Sequence, residues 1–101
     1  FSDYPKTVHS GRQDKHLVGS NNYILGRSTF SGTPKQAETL IKQHSGTGQP
    51  LGSNKERVDF GKVIGNYIDD SSGKSYPTTI GIIHYSKSGA HIVPAKPKNL
   101  K

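Results

Sequence analysis

Tyr76-Pro77-Thr78-Thr79-Ile80-Gly81-Ile82-Ile83-His84-Tyr85-Ser86-Lys87-Ser88-Gly89-Ala90-His91-Ile92-Val93-Pro94 is the stretch from which the architecture can be built. Its β-branched and aromatic residues read as a long strand, Tyr76–Ser86, and a returning strand, Ala90–Pro94, joined by a tight hairpin at Lys87-Ser88-Gly89. A three-residue loop with Gly89 in the left-handed region makes Ser86 face Ala90, Tyr85 face His91 and His84 face Ile92. Cross-strand partners share a sheet face. Thr79, Gly81, Ile83, Tyr85 and His91 then take one side, and Ile80, Ile82, His84, Ser86 and Ile92 the other. The second side holds more apolar residues and is the expected core face. A Thr79–Tyr85–His91 cluster is therefore expected on the open face, with His84 near the end of its strand at the rim.

Moving toward the N-terminus, the period-two pattern continues back to Lys55. Arg57–Phe60 and Val63–Asp69 read as short strands broken near Gly61, and Asp70-Ser71-Ser72-Gly73-Lys74 as a turn. Before them the pattern becomes helical. Thr33 and Gln36 form a capping box, Pro34 fills the first helical position, and Ala37, Leu40, Ile41 and His44 recur on one stripe. Gly46 is placed to stop this helix, 34–45, by turning left-handed. Residues 1–30 are polar and turn-rich, and their short apolar pieces, Leu17-Val18 and Tyr23-Ile24-Leu25, are expected to dock on the core. The fold class is α+β: N-terminal helical and irregular elements packed on a roughly four-stranded antiparallel β-meander, forming a single domain over 1–101.

Ile, Leu, Val and Phe together supply 21 of the 101 residues, just above the ~20% level below which chains tend to disorder. A thin core is expected, without Trp, Met or Cys to reinforce it. The absence of cysteine rules out disulfides and thiolate metal sites, and suits a domain that works in a reducing cytoplasm. No apolar run reaches the length of a signal peptide or a membrane span. A first residue Phe1 in place of Met suits a fragment of a longer protein. The net charge of +7 concentrates polyanions, and its lysines and arginines are spread from Lys6 to Lys87 beyond a basic tail at Lys96, Lys98 and Lys101. Nucleic acid or another phosphate polymer is the expected partner.

Five histidines carry the chemistry, since imidazole serves as acid and base near neutral pH. His44, on the apolar stripe, reads as structural, and His9 as a solvated surface residue. His16 follows Lys15 and precedes a Gly- and Asn-rich loop, which fits either a phosphate site or a surface Lys–His pair. Between the hairpin histidines, the register favours His91 over His84. No HExxH, H-x-H or carboxylate at ligand spacing points to a metal site. The nucleophile elbow of serine hydrolases and the glycine-rich phosphate loops are missing as well. A non-catalytic nucleic-acid-binding module is the alternative from another class, although the strands lack the exposed aromatic pair of a base-stacking platform.

Lys15-His16-Leu17-Val18-Gly19 with Asn21-Asn22-Tyr23, then Gly46-Thr47-Gly48-Gln49-Pro50, Arg57-Val58-Asp59-Phe60-Gly61-Lys62-Val63-Ile64-Gly65, Pro77-Thr78-Thr79, His84-Tyr85-Ser86 and His91-Ile92-Val93-Pro94 follow one another across nearly the whole chain. In this order they resemble the polymorphic toxin type fifty domain, of the barnase–EndoU–colicin–RelE-like nucleases. The resemblance implies a metal-independent endoribonuclease delivered as the C-terminal part of a larger bacterial protein. Such a domain acts in the target-cell cytoplasm, needs no cofactor and is neutralised by a cognate immunity protein. RNA, with transfer RNA among the candidates, is the implied substrate. On this reading His16 and His91 are the acid and base and Lys15 stabilises phosphate charge. Tyr85, Thr79 and Ser86 position the phosphate, with His84 in reserve.

Overall fold

Thr33 opens the helix as the sequence predicts. Its side chain accepts from the Gln36 N–H at 3.2 Å, and Gln36 Oε1 accepts from the Thr33 N–H at 2.8 Å. The two bonds satisfy donors that a helix start otherwise leaves open. Helix α1 spans Pro34–His44 and ends at Ser45, after which Gly46 takes φ +85°, a region that side chains avoid and glycine enters freely. The computed structural model describes residues 4–8, 28–69 and 71–97. The docking expected of Leu17-Val18 and Tyr23-Ile24-Leu25 lies outside the described residues.

The strands are β1 (Thr29–Phe30), β2 (Gln49–Pro50), β3 (Lys55–Asp59), β4 (Gly65–Ile68), β5 (Ser75–Thr78), β6 (Ile80–Ser86) and β7 (Gly89–Pro94). Helix and antiparallel strands together bear out an α+β architecture, but the strands do not form one meander. They form two sheets, ordered β1-β4-β5 and β2-β3-β6-β7. The expected long strand Tyr76–Ser86 is cut at Thr79, where the chain leaves one sheet for the other. Thr78 explains the break: its buried hydroxyl donates to the Ala95 carbonyl at 2.8 Å and accepts from the Ile80 N–H at 3.0 Å. The Thr79 carbonyl accepts from the Phe60 N–H at 2.9 Å. A strand ladder is thereby replaced by a corner, and the β4–β5 hairpin is inserted between β3 and its partner β6.

Helix α1 lies on one face of the four-stranded sheet. Ala37, Leu40 and Ile41 from the helix pack with Val58, Phe60, Ile83, Tyr85, Ala90 and Ile92 from the sheet, and with Phe30 and Ile64 from the β1–β4 side. Burying an Ile or Phe side chain contributes about 1.5–3 kcal/mol, so these few residues carry most of the apolar stabilisation. Residues 4–8 run along the edge of β7. Val8 bridges Ala90 in parallel, the Ala90 N–H donates to the Thr7 carbonyl at 2.8 Å, and the Val8 N–H donates to Glu38 Oε1 at 2.9 Å.

Candidate active site on the open face of the sheet

The hairpin that carries two histidines closes over Lys87 and Ser88 alone, pairing Ser86 with Gly89. Ser86 Oγ donates to the Gly89 carbonyl at 2.8 Å and lies 3.1 Å from Ser88 Oγ. Compared with the three-residue loop expected from sequence, the register moves by one. Tyr85 pairs with Ala90, and His84 pairs with His91. A one-residue slip moves every side chain of a strand to the other face. The core side of β6 is therefore Gly81, Ile83 and Tyr85, and the expected Thr79–Tyr85–His91 cluster does not form. Instead His84, Ser86 and His91 share the face away from α1. His84 belongs to this group, not to a rim.

On that face the residues lie in rows across the strands. Lys55, His84 and His91 are successive partners on β3, β6 and β7. The two imidazoles stack, with centroids 4.8 Å apart and planes inclined by 20°. The next row is Gln49, Arg57, Ile82 and Val93. Lys55 and Gln49 are exposed, whereas Arg57, Ile82, His84, His91 and Val93 are half-buried. Arg57 Nη2 donates to the Lys96 carbonyl at 3.0 Å, which holds the start of the basic C-terminal segment beside the sheet. The result is an imidazole pair bordered by cationic side chains, an arrangement whose charge favours anions and whose imidazoles can accept and deliver protons.

The opposite face carries a second polar cluster, buried beneath the helix. Glu56 is fully buried and accepts from the Gly46 N–H at 3.0 Å, the Gly48 N–H at 2.7 Å and the Tyr85 hydroxyl at 2.7 Å. Tyr85 spends its one proton on Glu56, so the 2.7 Å contact with Ser45 Oγ runs from the serine to the tyrosine. Burial pushes the Tyr85 hydroxyl above its ordinary range; Glu56 adds to this and Ser45 opposes it. Gly48 fits here because a Cβ would strike the Arg57 carbonyl. Tyr4 stacks on the Tyr85 ring at 5.9 Å, and Lys6 Nζ sits 5.1 Å from its centroid. Tyr85 is thus a core residue whose hydroxyl ties the end of α1 and the following loop to the sheet.

Thr79 stands at the corner between the sheets, half-buried and outside the histidine rows. His44 presents its ring edge-on to Phe60 at 4.9 Å, the structural place expected of it. His9, Lys15 and His16 lie outside the described residues. Sequence reasoning missed Lys55, Arg57 and Glu56. Strict alternation in β3 was the available signal, since Glu56 is in phase with Val58 and Phe60, and Lys55 and Arg57 are in the other phase.

A recess of about 280 Å³ on the helix side, lined by Phe30, Gln36, Leu40, Gln43, Lys62 and Ile64 among others, holds one charged group and no histidine. Its lining has no imidazole or carboxylate to work with Lys62. Among the described residues no group of three or more His, Cys, Asp or Glu is arranged to hold a metal ion, and no helix is long and apolar enough to cross a membrane. Residues 8–94 match the family described as bacterial toxin 50, in agreement with the resemblance carried by the sequence motifs. No curated protein matches the chain.

Proposed function

Because the chain belongs to the bacterial toxin 50 family, we propose that this toxin domain is a metal-independent endoribonuclease cutting RNA through the ribose 2′-hydroxyl. The observation that carries the reading is the His84–His91 pair, stacked at 4.8 Å on a face bordered by Lys55 and Arg57. A helix on one side of a four-stranded antiparallel sheet, with no described helix on the other, also suits a barnase–EndoU–colicin–RelE-like nuclease.

In the proposed reaction a neutral imidazole takes the proton of the 2′-hydroxyl as its oxygen bonds to phosphorus. The phosphorus–O5′ bond breaks, and a protonated imidazole delivers the proton that O5′ needs. The products are a 2′,3′-cyclic phosphate and a 5′-hydroxyl end. Two imidazoles this close cover both services, one accepting a proton and the other delivering one. His91 takes one proton-transfer step. Its partner is His84 by the register of the sheet, or His16 by the sequence pattern. Lys15 and Lys55 offset charge on the phosphorane, and Ser86 orients it. Tyr85 and Thr79 support the face from behind and from the corner. Delivery into a target-cell cytoplasm and a cognate immunity protein that protects the producer belong to the same reading.

The test is incubation of RNA with the domain in EDTA, followed by identification of the ends. Cleavage to cyclic phosphate, reduced by alanine at His91 and by alanine at either His84 or His16, supports the assignment and identifies the partner. Undiminished cleavage by the His91→Ala domain overturns the role of His91. Retardation of intact RNA without cleavage replaces the nuclease by a binding module.

A further inference from the structure

We propose that the row Gln49–Arg57–Ile82–Val93 is a nucleobase subsite, reading the base attached to the ribose whose phosphate lies over the histidine row. The inference rests on RNA being the polymer that the open face engages, and adds where and by what chemistry one base is held.

The argument starts from position. Arg57, Ile82 and Val93 each lie two residues along their strand from Lys55, His84 and His91 respectively. Two residues of an extended strand span ~7 Å, the reach from a phosphate across its ribose to the base. The composition of the two rows differs in the way that phosphate and base differ. The histidine row offers cations and protons. The neighbouring row offers an apolar pair, Ile82 with Val93, half-buried on the side of the sheet opposite the core. Next to that pair stand a guanidinium and an amide, Arg57 and Gln49, themselves cross-strand partners.

A base needs both kinds of contact. Its ring face desolvates against apolar side chains, and its edge presents donors and acceptors that amides and guanidinium groups match. Arg57 is held in place by its bond to the Lys96 carbonyl at 3.0 Å, made through Nη2, so the rest of its planar fork is presented in a fixed orientation. Gln49 is exposed and supplies an acceptor and two donors. Charge selects the occupant: Arg57 stands in the row and Lys55 borders it, on a chain of net charge +7, which favours an anionic nucleotide over a neutral apolar ligand.

Equilibrium binding tests this without relying on turnover. The probes are the four nucleoside 3′-monophosphates, with ribose phosphate lacking a base and inorganic phosphate as comparators. Imidazole signals of His84 and His91 report phosphate occupancy. The expected result is at least one nucleotide binding about tenfold or more tighter than the base-free ribose phosphate. Gln49→Ala and Arg57→Lys should change the ranking of the four bases, and Val93→Ser should weaken all four toward the base-free compound. Gln49 is exposed, so its variant keeps the fold. Equal affinity for nucleotides and base-free phosphate overturns the subsite, as does a base ranking that neither polar variant alters. The outcomes separate from those of the nuclease reading. A domain that cleaves RNA without base preference keeps the activity and loses the subsite; one that ranks bases without cleaving keeps the subsite and loses the activity.

Discussion

The two faces of the β2-β3-β6-β7 sheet use the same strands for opposite purposes. Toward α1, Glu56 and Tyr85 are buried, and their hydrogen bonds are made within the protein. Away from α1, their immediate neighbours Lys55, Arg57, His84 and Ser86 keep polar groups at a half-open surface. Chain order alternates the two sets residue by residue, so a single strand carries both a fastening and a reagent. The polar groups of the buried face stabilise because their hydrogen bonds are met within the protein, and those of the other face are proposed to react because they are only half-buried or exposed. A variant on one face should therefore change one property and leave the other nearly intact.

The largest expected effect belongs to the open face. His91→Ala should reduce RNA cleavage about 10²–10⁴-fold, the usual worth of one acid or base, while urea unfolding of the domain stays where it was. A matched loss of stability would show that the faces are not separable. On the buried face the sign reverses. Glu56→Ala strands the Gly46 and Gly48 N–H groups and the Tyr85 hydroxyl, and should cost about 3–5 kcal/mol in urea denaturation. Tyr85→Phe removes a donor but keeps the ring, and should cost about 1–3 kcal/mol by the same measurement.

A pH titration sharpens the contrast further. The folded Tyr85 hydroxyl is held above its ordinary value by burial, whereas the unfolded tyrosine ionises near pH ~10. Stability is therefore complete below that pH and declines as pH rises beyond it; the Tyr85→Phe domain should lack this component of the alkaline decline. The smallest effect is expected on the outer side of the helix. Lys42 and Glu38 approach at 3.5 Å with side chains 56% and 28% exposed, so Lys42→Ala should change stability by under about 0.5 kcal/mol.

Local chemistry made part of this arrangement readable in advance. The helix is announced by Thr33, Pro34, Gln36 and Gly46, all within its own span, and the structure places it at Pro34–His44. Strands β3, β4 and β7 fall within two residues of their expected ends, because each is bounded by its own turn residues. Failures came where distant groups decide. The break at Thr79 depends on the Thr78 hydroxyl meeting the Ala95 carbonyl, a contact across the fold. The phase of β6 depends on Tyr85 finding Glu56 on β3. Viewed alone, Ile82 and Ile83 are equal claimants to the interior, and tyrosine looks like a surface residue. Pairing His84 with His91 follows only once that buried partner is known. The proposed role of His16 belongs to the segment beyond the described residues and stands on the sequence motif.

The corner at Thr79 has a practical consequence. It leaves the β4–β5 hairpin on the sheet that bears no histidine, with Ser71, Ser72 and Gly73 exposed at its tip. An affinity tag or fluorophore grafted there would extend into solvent from a surface turn, where added length is well tolerated. Labelled copies of the domain could then be followed with the histidine-bearing face unobstructed.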